Sequence, residues 1–348
     1  MNKIRLFYAP MEGITDPSFR SIHASLFPNS VDAYYTPFFS PTYDSPFSDR
    51  EASTLAPEKN KGINRLVPQI LTNQAPLLLD MAEKLAAHGF DELNLNLGCP
   101  SGTVVSKKKG AGFLCEPEAL DRFFDEVFSA PVMQSNTIKL SVKTRLGLLD
   151  ISEFNTLLDI YNRYPISQIT VHPRIRTEMY GGTPHTELLP DIFNHAKHPL
   201  CYNGDIFTRN DLLTLLPMFK SIREAGYSLD IMIGRGAVAN PALFDIVREI
   251  LCGKEPTRHL QKEELWAYSQ ALYEDACQRL SGDRHILFRM KELWAYMISV
   301  FDESAEPYRK RLRKANTTAE FLGAVKQLFD ACSLAENGGF CSRNKAKL

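Results

Sequence analysis

No run of about 18 apolar residues occurs in the 348-residue chain, so no helix of ordinary membrane-spanning length is expected. Cysteine is scarce and irregular: Cys99, Cys115, Cys201, Cys252, Cys277, Cys332 and Cys341 are odd in number, widely spaced and without a CxxC pair. That argues against a disulfide framework and a zinc ribbon. His185, His195 and His198 lie near one another without an acidic or cysteine partner at ligand spacing, so no metal site is expected. A Walker loop and a GxGxxG turn are both missing, which removes the usual signals for a nucleoside triphosphate or a Rossmann-bound dinucleotide. The segment Met1 to Phe7 shows neither an apolar signal region nor a small-residue cleavage site, and a cytoplasmic location is expected. No charge of one sign dominates: 40 Lys and Arg face 41 Asp and Glu. Bulk electrostatics therefore point to no particular partner.

What is present is an ordinary globular composition, 44% hydrophobic and 23% charged, enough for a large core. Up to about residue 250, short apolar runs alternate with helix-length amphipathic stretches. The strand candidates are Arg5–Ala9, Ala33–Pro37, Leu66–Leu71, Glu92–Leu97, Ile138–Thr144, Gln168–His172, Leu200–Asn203 and Asp230–Ile233. Eight strands separated by helices, with polar and Gly-containing residues directly after them, predict an α/β fold of the TIM (β/α)8 barrel type. The long loop Phe38 to Asn60 is expected to act as a lid. Beyond Gly253 only helical periodicity remains, over Lys262–Leu280, Arg284–Phe301, Ala305–Lys314 and Thr318–Ala335, predicting an all-helical C-terminal bundle. The expected organisation is a barrel over 1–252, a helical domain over 253–336 and a flexible tail over 337–348. From residue 254 on, 16 Lys and Arg outnumber 13 Asp and Glu, with a dense cluster at Arg309-Lys310-Arg311-Leu312-Arg313-Lys314.

In such a barrel the site forms at the C-terminal ends of the strands. Those positions hold Pro10, Met11 and Glu12; Gln69; Asn96 and Cys99; Lys143; His172 and Arg174; Asn203, Gly204 and Asp205; and Gly234 with Arg235. The glycine turns after strands 7 and 8 suit a phosphate, and Arg235 could grip it with two donors; they are also what a simple turn requires. Lys143 lies mid-strand and points into the mouth, toward an anion or toward a barrel carboxylate. Cys99 sits on the loop leaving strand 4. A thiol with a pKa of ~8.5 is mostly protonated near neutrality and can give up a proton. His172 reads as a base, a phosphate donor or a core histidine.

Assembled in order, six segments carry a resemblance: Ala9-Pro10-Met11-Glu12-Gly13-Ile14-Thr15-Asp16, Asn96-Leu97-Gly98-Cys99-Pro100, Gly110-Ala111-Gly112, Val142-Lys143-Thr144-Arg145-Leu146-Gly147, Asn203-Gly204-Asp205-Ile206, and Ile233-Gly234-Arg235-Gly236-Ala237 with Asn240-Pro241. The chain resembles the tRNA-dihydrouridine synthase (Dus) family over nearly its whole length. The resemblance implies bound FMN, NADPH as reductant, tRNA as substrate and a helical domain that helps hold the RNA. It assigns Pro10, Met11, Glu12, Gln69 and Lys143 to the flavin, and His172, Asn203, Gly204, Asp205, Gly234 and Arg235 to its phosphate side. Asn96 would touch the uracil, and Cys99 would protonate C5 while a hydride reaches C6. Lys107, Arg174, Lys291, Arg309, Lys310 and Arg313 are the candidate RNA contacts. The chain departs from the family at Pro173-Arg174-Ile175, where Gly-Arg-Thr is usual, and at Lys291-Glu292, where Lys-His is frequent. Two rival readings remain: a flavin barrel acting on a small molecule, as in dihydroorotate dehydrogenases, and a non-catalytic RNA-binding barrel. No obligate protein partner is evident.

Overall fold

The computed structural model describes residues 3–42, 47–254 and 257–340. Its sheet comprises β1 (Leu6–Tyr8), β2 (Ala33–Tyr35), β3 in two pieces (Leu66–Val67 and Gln69–Ile70), β4 (Glu92–Leu97), β5 (Lys139–Gly147), β6 (Ile169–Ile175), β7 (Leu200–Tyr202) and β8 (Leu229–Ile233). All pairings are parallel, and the ring closes where Leu6, Phe7 and Tyr8 of β1 meet Ile231, Met232 and Ile233 of β8. Within β3, the first piece pairs with β2 and the second with β4. The break falls at Pro68, which has no N–H to give to a ladder. The result is the closed parallel barrel that the alternating pattern predicts.

Side-chain alternation splits the strands into two chemistries. Outward residues such as Leu6, Tyr8, Leu95, Val142, Val171 and Ile231 merge with the surrounding helices into one large core. Inward residues Phe7, Ala33, Tyr35, Val67, Cys201 and Met232 form a separate, smaller plug. Below that plug, Asp230 accepts from Arg5 (2.6 Å) and from Gln168 (2.7 Å), so the lower barrel satisfies its own charge. Above it, the inward positions turn polar.

Connecting helices start where sequence chemistry permits. Asp16 caps Pro17–Leu26 by accepting from the Phe19 N–H at 2.9 Å, and Thr208 with Asp211 forms a capping box on Arg209–Glu224. The C-terminal helices Lys262–Arg279, Asp283–Met297, Glu306–Lys314 and Thr318–Ala331 share the barrel's outer core. Tyr268 packs edge-on against Phe19 and His23. Arg289 reaches back to the Ile14 carbonyl (2.9 Å), Asp16 (3.1 Å) and the Gly13 carbonyl, which pins Asp283–Met297 over the barrel mouth. No helix among the described residues is long and apolar enough to cross a membrane.

Two segments differ from expectation. The Phe38 to Asn60 loop contains a helix, Asp49–Leu55, tied down by the buried Arg20 through the Thr54 carbonyl (3.0 Å) and Asn60 (2.7 Å); residues 43–46 lie outside the described residues. Asn337 to Phe340, expected to open a flexible tail, is packed instead. Phe340 is buried against Phe207, and a Cβ on Gly339 would sit 2.2 Å from the Phe207 carbonyl. The two glycines there permit close approach rather than fraying. The rest of the expected tail, 341–348, lies outside the described residues.

Candidate active site

A cavity of about 290 Å³ opens at the C-terminal ends of the strands. It gathers Pro10, Met11 and Glu12 from the turn after β1, Gln69 from β3, Asn96 and Cys99 from β4 and its loop, and Lys143 from β5. His172 from β6, Asn203, Gly204 and Asp205 after β7, and Gly234 and Arg235 after β8 complete the ring.

A chain of amides positions the cysteine loop. Asn96 Oδ1 accepts the N–H groups of Gly98 (3.0 Å) and Cys99 (2.9 Å), while its Nδ2 donates to Gln69 Oε1 (2.8 Å). Gln69 Nε2 donates to Asn94 (2.8 Å), and Asn94 donates to Ser141 (2.9 Å). Each member is buried, so each amide is oriented by the next. Asn96 thereby spends its oxygen on holding Cys99.

Burial pushes the Cys99 thiol above its ordinary value, outweighing the Ser101 N–H and the charges of Arg145 and Lys143, which pull it down. The group is therefore a neutral thiol near pH 7. Burial, with the Arg145 charge adding to it, lowers Lys143 from 10.5 to about 8. No carboxylate partner holds its ammonium among the described residues.

At the other side of the mouth, cations cluster. Arg174 donates to both oxygens of Asp205 (2.9 and 2.5 Å), and Arg235 donates to Asp205 Oδ1 (2.6 Å). His172 is held well below its usual pKa by burial and by Arg145, Lys143, Arg174 and Arg235, so its ring is neutral. Arg174 donates to His172 Nε2 (3.0 Å), which assigns the ring proton to Nδ1. A Cβ on Gly204 would lie 1.9 Å from the Tyr202 hydroxyl, and one on Gly234 would lie 3.2 Å from the Ala9 Cβ, so both turns, which line the cavity, pack too closely on neighbouring side chains to carry one freely.

A model of the family described as Dihydrouridine synthase (Dus) matches residues 7–334. Among curated proteins, the chain is 31% identical over 267 residues to a "Probable tRNA-dihydrouridine synthase 2" of Bacillus subtilis, covering 74% of each chain. It is 32% identical over 270 residues to a "Probable tRNA-dihydrouridine synthase" of Staphylococcus epidermidis, covering 74% of this chain and 73% of that one. The chain belongs to the dihydrouridine synthase family. It is an enzyme of that family, and membership implies dependence on a flavin.

The cavity's donor set fits such a group. A phosphate-bearing flavin calls for a cation near its reducible ring and for cations or backbone N–H groups near its phosphate. Here Lys143 supplies an ammonium that no described carboxylate holds, and Gly204, Gly234 and Arg235 surround the far end.

The candidate RNA contacts scatter. Arg174 is a correction: its side chain is fully buried, clamped on Asp205 and on the carbonyls of Gly181 (2.9 Å) and Gly182 (2.8 Å), and it does not reach the surface. Lys291 is partly buried, and its ammonium donates to the carbonyls of Arg313 (2.9 Å) and Ala315 (2.5 Å), closing the end of Glu306–Lys314. Arg309 is mostly covered and bonds Glu306 (3.2 Å), whereas Lys107, Lys310 and Arg313 are exposed.

Among the cavity's polar and charged side chains, sequence reasoning passed over four: Arg145, Tyr180, Glu292 and Tyr296. Arg145 fixes the cysteine loop by donating to the Gly98 carbonyl (2.9 Å). Tyr180 lies against the guanidinium groups of Arg145 (5.3 Å) and Arg235 (4.8 Å). Arg145 carried a signal, as the next inward position after Lys143. Glu292 and Tyr296, one turn apart on Asp283–Met297, carried only the unusual Lys291-Glu292 pair.

Proposed function

We propose that this chain reduces the C5–C6 double bond of a uridine in tRNA, with FMN in the barrel mouth, NADPH as reductant and Cys99 as the proton donor. The observation that carries the reading is a thiol kept neutral by burial, on a loop locked by Asn96 and Arg145, opening into the same cavity as the Lys143 ammonium. The two relatives, named as tRNA-dihydrouridine synthases, suggest the substrate class. The chemistry FMN contributes when bound is a hydride equivalent for C6.

The protein's own residues do the rest. Cys99 gives its Sγ proton to C5; the S–H bond breaks, a C5–H bond forms, and a thiolate remains beside Arg145 and Lys143, whose charges favour it. Solvent reprotonates the half-buried sulfur. Lys143, charged at neutral pH, would balance negative charge on the ring, and Gln69 would meet its polar edge. Arg235, the His172 Nδ1–H and the turns at Asn203-Gly204 and Gly234 would hold the phosphate. Met11 and Pro10 would line the ring, with Glu12, paired with Arg50 (2.8 Å), near it. A uridine inside a folded RNA must leave its stack to reach this cavity. Lys107, Lys310 and Arg313 are exposed cations that can face the RNA backbone.

The test is Cys99→Ala, purified with its flavin and incubated with NADPH and a tRNA transcript. Flavin absorbance should be retained, and dihydrouridine by mass analysis should fall to background. An undiminished rate would exclude Cys99 as the acid, and absence of dihydrouridine from the unaltered enzyme would favour a small-molecule substrate.

A further inference from the structure

Leu149 and Met179 are large apolar side chains left in solvent, 66% and 40% exposed. They belong to the turns after β5 and β6. Those turns are stitched together by the Arg176 N–H on the Gly147 carbonyl (2.9 Å) and the Thr177 N–H on the Leu148 carbonyl (3.3 Å). Tyr180, next to Met179 and 43% exposed, continues the surface into the cavity it lines. An isolated exposed leucine is ordinary, but an apolar group on adjoining turns at the mouth of a site is not.

Both turns are held firmly from within. The Glu153 carboxylate accepts the N–H groups of Leu148 (2.8 Å), Leu149 (2.9 Å) and Asp150 (2.8 Å). Glu178 accepts from the Ile175 N–H (2.7 Å) and bonds His185 (2.8 Å), while Arg174 grips the carbonyls of Gly181 and Gly182. Met179 itself stands at φ +54°, a left-handed conformation that costs a residue with a side chain and persists where surroundings impose it. The fold thus fixes Met179 outward at an energetic cost, although packing inside would have hidden its apolar surface.

We infer that Leu149 and Met179 form an apolar wedge that enters the base stack of the RNA next to the target uridine. The inference rests on the reading that a uridine in folded RNA is the substrate. When one base leaves a stack, its neighbours are left with a bare face, and apolar side chains placed there recover part of the stacking energy. The position is suitable because Met179 precedes Tyr180, which lines the cavity, and Leu149 lies on the turn bonded to the same segment. Arg176, bonded to the Pro100 carbonyl (3.2 Å) on the cysteine loop, flanks it with a cation for the neighbouring phosphate.

The experiment compares Leu149→Ser, Met179→Gly and their combination with Leu213→Ser, an exposed apolar position on the outer helix Arg209–Glu224. Glycine at 179 accepts the positive φ, so the turn is kept. Flavin-loaded proteins are assayed for affinity and dihydrouridine formation on a folded tRNA transcript and on a short unstructured oligoribonucleotide carrying uridine. The wedge variants should bind the folded RNA about tenfold more weakly and turn it over with a kcat/KM about tenfold lower, the size of one stacking interaction, and should be unchanged on the unstructured one. Leu213→Ser should match the unaltered protein on both. Equal losses on both RNAs, or no loss on the folded one, would overturn the wedge. If the unaltered enzyme binds both RNAs and forms no dihydrouridine, the reductase reading falls, and the affinity ratio still decides the wedge.

Discussion

The Arg174 guanidinium grips both oxygens of Asp205 with none of its side chain exposed, directly beneath the cavity wall that carries His172 and Arg235. A buried pair of this kind is costly to break from one side, because the remaining charge stays desolvated. Arg235 continues to hold Asp205 Oδ1, so the loss falls at the lower end of the range. Arg174→Ala should lower stability by about 3 kcal/mol in urea unfolding of the flavin-free protein. The salt dependence of RNA affinity should not move. A fully stable variant with a shallower salt slope would show that the guanidinium touches phosphate after all.

The barrel was legible because strand and helix periodicities differ and because eight strand-helix pairs admit few closures. The site ring was legible for the same reason: once strand ends are placed, Gln69, Cys99, Lys143 and Asp205 must share one mouth. What could not be read was pairing across distance. Arg174 and Asp205 are 31 positions apart, and nothing in either segment announces that one will neutralise the other. Lys291 looks like a free cation until the helix end at Arg313 and Ala315 is placed beside it. Glu292 and Tyr296 enter the cavity only because Arg289 docks their helix on the Gly13–Asp16 turn, a tertiary fact with no local signature. Gly338-Gly339 misled for a related reason: the same residues serve flexible chain and close packing.

Lys143 gives a pH prediction with a defined sign. Its folded value is about 8 against an ordinary 10.5, so between those limits the unfolded chain binds more protons than the folded one. Stability of the flavin-free protein should therefore rise with pH across that window. Lys143→Met, of similar shape and without charge, should remove the rise. Flavin affinity should move the opposite way, falling as pH climbs through about 8 and the ammonium is lost. An unaltered stability slope in Lys143→Met would show that the lysine is not the group responsible.

Gly204 tests the phosphate side without touching a charge. A methyl group there would meet Tyr202, whose ring is buried and packed on Phe219 at 5.4 Å, so the aromatic cannot easily retreat. Gly204→Ala should move the turn after β7 and weaken flavin retention at least tenfold, read by flavin released on dialysis. Gly323→Ala, where nothing lies within 4 Å on an outer helix, is the matched control and should retain its flavin. Equal retention in both would mean that this turn does not hold the cofactor.

The basic cluster divides into cations that the fold consumes and cations that it presents. Lys291 closes a helix end, and its replacement by alanine removes two hydrogen bonds to carbonyls that have no further helical donor. That should cost about 1–2 kcal/mol of stability. Lys310 and Lys314 are exposed on Glu306–Lys314, and removing a cation that meets phosphate should flatten the dependence of log affinity on log salt by about 1. The double variant Lys310→Ala/Lys314→Ala should therefore keep its melting temperature and bind tRNA with a slope shallower by about 2, while Lys291→Ala should melt earlier and keep the slope. Filter binding at four or five salt concentrations separates the cases. The reverse pattern, an unchanged slope for the double variant and a shallower one for Lys291→Ala, would place the RNA on a different face of the helices.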